Sequence, residues 1–446
     1  MLAAMPPQPP SAAPRDEPVI RDRGDACPGA LRLHAADDGF LARVRVPGGM
    51  LDADAAALLA DAADRLGDGH IDLTSRGNAQ LRGLGAGCGG ELQSVLVRAG
   101  LLPAPTHERV RNIVASPLTG LDRSGLPDVA PWVAELDQLL CASAPAAGLS
   151  GRFLFALDDG RGDVTSLAAD VNLVARDADR ALLWTADPAD ALLVAAADAP
   201  RAALVAAAYF LDAVREAGTW AWRVAELPAE QALRSDELGV RLAAAGIEAS
   251  PVREDARRSP APEPGIVQGP EDPEDPEGPE GAAALSVLAP LGRLTTAQWR
   301  LLAGLTGRMR LTPWRGVVVP GVPAHAAARA LAALAGAGLV TAPDDPWRSV
   351  TACTGRPGCA KSLADVRADA RAAVTRATGP LPVHWSGCER RCGHPRGTAW
   401  VDVVATPTGY DLCADGRTPR RGLQTSELPA ALADARRTTS HDAAKK

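Results

Sequence analysis

The chain carries one pattern twice, and this internal repeat constrains its fold more than any other feature. The first copy reads PGGMLDADAAALLADAADRLGDGHIDLTSRG from residue 47, and the second reads PLGRLTTAQWRLLAGLTGRMRLTPWRG from residue 290. Each copy has a glycine turn, a helix capped by Asp52 or Thr295, and a Leu-Thr pair before Arg-Gly. The offset is 243 residues at the caps, 238 at the Leu-Thr pairs, and 237 where IVASPLTG (113–120) faces VTACTGRPG (350–358). Such a steady offset predicts a duplicated architecture.

The duplication predicts two copies of a small α/β half-module, each followed by a larger α/β segment. Small sheets of this kind bury their faces best when they complete one another, so we expect the two half-modules to pair. A stretch rich in Pro, Glu and Gly separates the copies and is typical of a linker or a long surface loop. The predicted boundaries are a disordered leader at 1–23, half-modules at 24–104 and 284–343, larger modules at 105–250 and 344–430, the linker at 251–283 and a tail at 431–446.

The charge balance and the apolar runs exclude several partners. The formal net charge is -7, whereas a general nucleic-acid binder normally shows a basic surface, so we expect no nucleic-acid partner. The longest apolar run is interrupted by Asp198, Pro200 and Arg201, so we expect no membrane span. Prolines occupy the N-terminal stretch where a signal peptide would need an apolar helix. These features predict a cytoplasmic protein whose cysteines are reduced.

Four of the eight cysteines are arranged in two close pairs. Cys353 and Cys359 form C-x5-C, Cys388 and Cys392 form C-x3-C, and 28 residues lie between the pairs. Four thiolates at this spacing favour a [4Fe–4S] cluster, because structural zinc sites prefer tighter C-x2-C pairs. A zinc site and unligated core cysteines are the alternatives. The first copy has Ser116 at the position of Cys353, so we expect a cluster only in the second copy.

The stretch IDLTSRGNAQLRG (71–83) alternates between apolar or small residues and polar residues. This period of two predicts a strand with one polar face. The face is either exposed to solvent at a sheet edge or one wall of a site for an anionic ligand. The counterpart in the second copy, MRLTPWRGVVVPG, lacks the alternating amides, which favours a ligand on the first-copy side. The polar face consists of Asp72, Thr74, Arg76, Asn78, Gln80 and Arg82.

These motifs resemble the family of sulfite and nitrite reductases that carry sirohaem and a [4Fe–4S] cluster. The spacing C-x5-C followed by C-x3-C is that family's cluster signature. LTSRGNAQLRG (73–83) resembles the strand that presents an arginine to the sirohaem carboxylates, and VRNIVASP (110–117) resembles the second arginine motif. The resemblance implies an α+β fold in which two ferredoxin-like half-modules pair and two larger α/β modules are related by pseudo-two-fold symmetry.

Within this family the chain is similar to the branch of precorrin-3B synthases. The likeness lies in strings such as HERVRNIVASPLTG (107–120), RLTPWRGVVVP (310–320) and HWSGCERRCGHP (384–395). The reductases place two lysines around a phenylalanine to feed protons to a bound anion. This chain has Arg152-Phe153-Leu154 there, and leucine cannot relay a proton. The difference favours the synthase branch over a sirohaem reductase.

The resemblance implies an oxygen-dependent monooxygenase of aerobic cobalamin synthesis that converts precorrin-3A into precorrin-3B. The product carries a hydroxyl at a meso carbon and a lactone closed by the ring A acetate. The substrate is an anionic tetrapyrrole, and guanidinium and amide groups are suited to bind its carboxylates. The candidate substrate-binding residues are Arg76, Asn78, Gln80, Arg82, Arg111, Asn112 and Arg152.

The resemblance also implies an electron supply. We expect the cluster to relay electrons from an external reductase or ferredoxin to a mononuclear non-haem iron that activates O2. Candidate iron ligands are His384, His394 and Asp170. The GxGxxG string at 85–90 lacks a parallel βαβ context, so we expect no NAD site there. Two other functions stay open, namely a sirohaem-dependent sulfite or nitrite reductase and a non-enzymatic iron–sulfur electron carrier or sensor.

Overall fold

The computed structural model describes residues 28–185, 187–253, 257–269, 281–377, 379–395, 399–414 and 419–437. The predicted leader at 1–23 and the acidic centre of the predicted linker lie outside the described residues. No helix in the described ranges combines the length and the apolar character needed to cross a bilayer.

The described part of the chain mixes helices and strands throughout. The helices are α1 (Ala53–Leu66), α2 (Gly89–Arg98), α3 (Ala130–Ala142), α4 (Ala199–Glu216), α5 (Ser235–Ala244), α6 (Thr296–Thr306), α7 (Ala324–Gly336), α8 (Val366–Ala373) and α9 (Leu428–Ala435). The strands of the first copy are β1 (His34–Ala36), β2 (Gly39–Val44), β3 (Met50–Asp52), β4 (His70–Leu73), β5 (Ala79–Leu84), β6 (Ile113–Ala115), β7 (Phe155–Asp158), β8 (Val171–Ala175), β9 (Arg180–Trp184), β10 (Ala191–Ala195) and β11 (Ala249–Val252). Those that follow are β12 (Gly265–Gln268), β13 (Ala282–Leu288), β14 (Arg293–Thr295), β15 (Arg308–Leu311), β16 (Gly316–Pro323), β17 (Val350–Ala352), β18 (Val383–Ser386), β19 (Val401–Thr406), β20 (Gly409–Ala414) and β21 (Arg420–Leu423).

The two half-modules exchange one strand each, as their predicted pairing requires. The first sheet has the order β1-β2-β5-β4-β14, so its last strand comes from the second copy. The second sheet has the order β12-β13-β16-β15-β3, so its last strand comes from the first copy. Both exchanged strands pair antiparallel, with Leu294 opposite Ile71 and Met309 opposite Leu51. The exchange confirms the duplicated fold with pairing half-modules.

The two repeated helices begin at the predicted caps and pack against each other. The Asp52 carboxylate accepts a hydrogen bond from the Ala55 amide at 2.8 Å at the start of α1. Thr295 and Gln298 form a reciprocal capping box at the start of α6. Trp299 on α6 is fully buried, and its indole N–H donates to the carbonyl of Ala56 on α1 at 2.8 Å. The shared core therefore joins the half-modules into one unit.

The two larger modules repeat one sheet pattern. In the first, β6, β7 and β8 are parallel neighbours, and β9, β10 and β11 continue antiparallel. In the second, β17, β18 and β19 are parallel neighbours, and β20 and β21 continue antiparallel. Equivalent hydrogen bonds follow β6 and β17, the first strand of each sheet. The Ser116 amide donates to the Leu157 carbonyl at 3.1 Å, and the Cys353 amide donates to the Trp385 carbonyl at 2.9 Å. The repeat therefore extends to the cysteine loop.

The prediction of one continuous strand at 71–83 is wrong, because the stretch is a hairpin. Strands β4 and β5 pair antiparallel, with Asp72 opposite Gln80. Between them the hydroxyl of Thr74 accepts hydrogen bonds from the amides of Arg76 and Asn78 at 3.3 and 3.1 Å. Gly77 has a φ of 65°, a left-handed conformation that suits glycine and reverses the chain. Arg76 and Asn78 therefore lie in the turn and not on the strand face.

The predicted linker and tail also take part in the fold. Strand β11 pairs with β10, and β12 pairs with β13, so both ends of the 251–283 stretch belong to sheets. Helix α9 runs into the predicted tail. Its last turn is followed by Arg436, a buried residue whose guanidinium donates to the carbonyls of Leu381 and Gly379 at 2.8 and 2.6 Å. The composition of these segments did not indicate their pairing partners.

Candidate functional site

The paired cysteines lie on loops at one edge of the second large sheet. Strands β17 and β18 are parallel neighbours, and the two cysteine pairs follow their carboxyl ends. The sulfur of Cys353 accepts a hydrogen bond from the amide of Gly387 at 3.2 Å. A Cβ at Gly387 would come within 1.9 Å of the Ser362 hydroxyl, so only glycine permits this approach. The sheet therefore brings the two loops together.

The pKa of the Cys353 thiol is shifted by burial and by its neighbours, which include two other cysteine thiols. Burial raises the pKa of Cys353, and the neighbouring thiols of Cys392 and Cys359 raise it further. The amides of Gly387 and Gly355 point at its sulfur and oppose this rise. Amides directed at sulfur are typical of iron–sulfur sites.

A cluster makes different spatial demands from a single ion. Within the described residues, no three His, Cys, Asp or Glu side chains are gathered tightly enough to hold one metal ion. The four thiolates of a [4Fe–4S] cubane bind separate corners and lie farther apart than the ligands of one zinc ion. The neighbouring thiols and the amide donors therefore fit a cluster.

A cleft of about 240 Å³ lies between the cysteine loops and the hairpin of β4 and β5. Arg367 crosses it, donating to the carbonyl of Cys353 and to the carboxylate of Asp72, both at 3.3 Å. Three guanidinium groups and one carboxylate line the cleft, which therefore favours anions. Its lining residues are Arg43, Asp72, Leu73, Thr74, Ser75, Gln80, Leu291, Gly292, Arg315, Ala352, Cys353, Thr354, Arg367, Cys392 and Gly393.

Of the predicted substrate-binding residues, all of which are described, Gln80 alone lines this cleft. Its side-chain oxygen accepts a hydrogen bond from the Arg43 guanidinium at 3.1 Å. Arg76 lies in the adjoining turn and donates to the carbonyl of Gly151 at 3.4 Å. Arg152 is exposed, with its guanidinium 5.1 Å from the ring centre of Trp222.

Asn78 and Asn112 form a buried network in place of the predicted substrate contacts. The Asn78 oxygen accepts from the amide of Val46 at 2.9 Å, and its nitrogen donates to the Asn112 oxygen at 3.1 Å. Asn112 in turn donates to the carbonyl of Phe153 at 2.9 Å. These hydrogen bonds connect the first half-module to the first large module. Loss of either amide would leave a buried polar group without a partner, which is costly.

Arg111 is bound by protein groups and does not line the cleft. Its guanidinium makes a bidentate pair with the Asp137 carboxylate, with both contacts at 2.7 Å. It also donates to the carbonyl of Leu101 at 2.7 Å, and it is only 3% exposed. This geometry favours a structural ion pair for Arg111, and its substrate role stays a prediction.

Arg82 also binds other residues of the chain, and one of them, Gly358, belongs to the first cysteine loop. Its guanidinium binds both carboxylate oxygens of Asp38 at 2.9 and 2.8 Å and donates to the carbonyl of Gly358 at 2.9 Å. The neighbouring Asp37 carboxylate accepts from the amide of Ala360. The turn between β1 and β2 therefore holds the loop that carries Cys359. These contacts favour a positioning role for Arg82, and its substrate role stays a prediction.

The three candidate iron ligands are not assembled into one site. His384 is buried beside the Cys392 loop, where its Nδ1 bonds the Thr351 hydroxyl at 2.8 Å and its Nε2 has no partner. His394 stacks on Trp400 with ring centres 5.2 Å apart. Asp170 lies in the first large module, where its carboxylate accepts from the amides of Leu154 and Val224 and pairs with Arg223. Burial lowers the pKa of His384 to about 4.

The position equivalent to Cys353 in the first copy is surrounded by buried carboxylates. The Ser116 hydroxyl donates to the Asp163 carboxylate at 2.7 Å and accepts from the Asp159 amide at 3.2 Å. The second carboxylate oxygen of Asp163 is buried without a partner. Burial raises the pKa of Asp163 to about 7, and the nearby Asp158 carboxylate adds to the rise. The first copy therefore has a carboxyl group with a raised pKa where the second copy has thiols.

The raised pKa makes stability depend on pH at Asp163. Between about pH 4 and pH 7 the folded chain keeps a proton that the unfolded chain has lost, so stability falls as pH rises through this window. Asp163→Asn removes this titration. We expect the variant to unfold roughly 2–8 °C higher than the parent at about pH 8, with a smaller difference at about pH 5. Thermal unfolding at both pH values measures this, with exposed Asp344→Asn as the control. An equal shift at both pH values would contradict it.

Comparisons with known proteins agree with this architecture. The family described as nitrite/sulfite reductase ferredoxin-like half domain matches residues 33–87 and 276–337, one match in each copy. A precorrin-3B synthase from Sinorhizobium sp is 27% identical over 411 residues, covering 89% of this chain and 84% of the relative. A ferredoxin–nitrite reductase from Synechococcus elongatus is 28% identical over 399 residues, covering 80% and 74%.

A solved structure shares the fold. The Mycobacterium tuberculosis NirA protein matches with a TM-score of 0.64 at 18% identity, covering 88% of this chain and 79% of that protein. The half-domain matches cover most strands of the two interlocked sheets, and β12 lies outside them. The chain therefore carries the nitrite/sulfite reductase ferredoxin-like half domain twice, and it shares its overall fold with the NirA protein.

Proposed function

We propose that this chain is an oxidoreductase that acts on an anionic tetrapyrrole, with the oxygen-dependent chemistry of a precorrin-3B synthase. The observation that carries the proposal is the cleft in which Arg43, Arg315 and Arg367 adjoin Cys353 and Cys392. Guanidinium groups recognise carboxylates, and precorrin-3A carries carboxylates around its whole rim. The likeness to a precorrin-3B synthase over 89% of the chain supports the same substrate class.

The cleft is suited to one edge of such a substrate. Its volume of about 240 Å³ is below the usual ~300–1,000 Å³ of pockets that enclose drug-sized ligands. A tetrapyrrole would therefore place one carboxylated edge inside and lie across the mouth. Gln80 and Arg43 would hold this edge from the hairpin side, and Arg367 would hold it from the cysteine side. These contacts would fix which meso carbon faces the cysteine loops.

Cys353, Cys359, Cys388 and Cys392 would hold a [4Fe–4S] cluster, which supplies electrons when bound. One oxygen atom of O2 would enter the substrate and the other would leave as water, so a reduced external donor must supply two electrons. The clamp of Asp38 and Arg82 on Gly358 would keep the first cysteine loop in register with the cleft. A mononuclear iron follows from the resemblance alone, and its candidate ligands are not assembled in the described residues, so no step is assigned to it.

A sirohaem-dependent nitrite or sulfite reductase is the second candidate, favoured by the identity with ferredoxin–nitrite reductases. The environment of Leu154 weighs against it. Leu154 stands where the reductases place their second lysine, is 2% exposed, and packs among Val114, Ala156 and Val164. A residue in such an apolar cluster cannot deliver protons to a bound anion.

A non-enzymatic electron carrier would need neither the cationic cleft nor the glutamine within it.

Spectra and labelled oxygen test these functions in sequence. We expect anaerobically purified protein to absorb as an iron–sulfur protein without a sirohaem band. Precorrin-3A, reduced ferredoxin and isotope-labelled O2 should then give a product that contains one labelled oxygen atom, and omission of ferredoxin should abolish it. A sirohaem band would favour the reductase. A cluster without any hydroxylated product would reject the monooxygenase.

A further inference from the structure

The turn that follows the Leu-Thr pair is the same in both copies, but one copy has an arginine where the other has glycine. Thr74 N–H donates to Asn78 and Gly77 N–H donates to Thr74, at 3.0 and 3.2 Å. In the second copy Thr312 N–H donates to Gly316 and Arg315 N–H donates to Thr312, at 2.9 and 3.1 Å. Arg315 therefore occupies the position of Gly77.

Arg315 adopts the backbone conformation of that glycine. Its φ is 62°, and that of Gly77 is 65°. A side chain in this region is strained, and such strain in folded proteins is concentrated at functional sites. The turn itself does not need the arginine, since glycine forms the same turn without strain in the first copy. The side chain of Arg315 is therefore the feature that needs an explanation.

The surroundings leave room for this side chain at the cleft. A Cβ at Gly292 would lie 2.6 Å from the Cδ of Arg315, so glycine is required beside it. On the other side the Nη2 of Arg315 is 3.6 Å from the position that a Cβ on Gly393 would take, next to Cys392. Gly292 thus adjoins the aliphatic part of the Arg315 side chain, and Gly393 adjoins its guanidinium at the cleft.

The guanidinium of Arg315 has no hydrogen bond or ion pair to any residue in the described part of the chain. Burial and the neighbouring Arg367 lower its pKa, with only the Asp72 carboxylate opposing them. Arg367 already uses Asp72 and the Cys353 carbonyl as partners. Arg315 is half-buried where it lines the cleft, so its guanidinium is incompletely solvated, and an anion in the cleft would be a favourable partner.

We infer that Arg315 is the anion-binding residue that the second half-module supplies to the cleft, and that it holds a carboxylate of the ligand beside the loop of Cys392 and Gly393. The carboxylate's assignment to a tetrapyrrole rests on the proposed function. The anion site itself rests on the turn geometry, the two adjoining glycines and the unpartnered guanidinium.

Arg315→Gly tests this inference, because it restores the residue type that forms the same turn in the first copy. The probe is uroporphyrin III, a stable tetrapyrrole with acetate and propionate carboxylates, titrated into the full-length protein and followed by its fluorescence. We expect affinity to fall at least about tenfold, in line with the loss of a charged hydrogen bond, while the unfolding temperature stays the same or rises. Arg315→Lys should recover part of the affinity, because lysine keeps the positive charge but lacks the two parallel N–H donors of a guanidinium.

Ala168→Gly is the matched control, since Ala168 also has a positive φ, of 51°, and does not line the cleft. It should leave the affinity unchanged. Unchanged uroporphyrin affinity in Arg315→Gly would overturn the inference. If the parent binds no uroporphyrin, the tetrapyrrole proposal fails, and inorganic phosphate becomes the probe. Thermal stabilisation by phosphate in the parent but not in Arg315→Gly would then support the anion site alone, and its absence in both would overturn the site as well.

Discussion

Cys353→Ser is expected to remove the iron–sulfur absorption and reduce turnover to background while the protein stays folded. A serine hydroxyl is a far poorer iron ligand than a thiolate, and the loss of one of four thiolate ligands destabilises a [4Fe–4S] cluster. The sulfur of Cys353 accepts the Gly387 amide and lies beside the thiols of Cys359 and Cys392. Iron content, visible absorption and electron paramagnetic resonance of the reduced protein measure the loss.

The chain itself indicates that serine is tolerated at this position. Ser116 is the equivalent residue of the first copy, and its hydroxyl accepts a hydrogen bond from the Asp159 amide at 3.2 Å. The Cys353 sulfur accepts the equivalent hydrogen bond from the Gly387 amide, also at 3.2 Å. We therefore expect Cys353→Ser to keep the far-ultraviolet spectrum of the parent. Cys413→Ser, on β20 of the same sheet, is the control and should keep the cluster. A full complement of iron in both Cys353→Ser and Cys353→Ala would reject Cys353 as a ligand.

The repeat in the sequence was sufficient to predict the interlocked sheets. Equal spacing from cap to Leu-Thr pair implies the same helix and strand in both copies, and two small apolar faces of equal size have each other as the nearest cover. The hairpin at 71–83 was missed because its turn keeps the alternation of polar and apolar residues. The reversal depends on the hydroxyl of Thr74 and the φ of Gly77, and neither alters that pattern.

The candidate site was predictable in part. Of the predicted cluster and substrate residues, Cys353, Cys392 and Gln80 line the cleft, and their roles stay predictions. The sequence did not indicate that Arg43, Arg315 and Arg367 line the cleft. The chain has many arginines, and the burial and partners of each one depend on residues that are distant in sequence. One signal for Arg315 was present. Counting from the Leu-Thr pairs aligns Arg315 with Gly77, and an arginine in place of a turn glycine indicates a demand on its side chain.

Arg111→Ala is expected to lower the free energy of unfolding by about 3 kcal/mol or more, the usual cost of breaking a buried ion pair. The Arg111 side chain is 3% exposed and that of Asp137 is 18% exposed, so the remaining carboxylate would be poorly solvated. The Leu101 carbonyl would lose its donor as well. Urea unfolding followed by tryptophan fluorescence measures the change, and the affinity for uroporphyrin should be unchanged at temperatures where the variant is folded.

Two comparisons separate this structural role from substrate binding. Arg215→Ala removes an Arg–Asp pair whose arginine is 73% exposed, and it should cost less than about 1 kcal/mol. Arg111→Met combined with Asp137→Leu removes both buried charges, and it should be more stable than Arg111→Ala because no uncompensated carboxylate remains. Unchanged stability together with weakened uroporphyrin binding in Arg111→Ala would restore Arg111 as a substrate ligand. The recovery in the double variant is the decisive result, because a lost substrate contact would not be regained by removing Asp137.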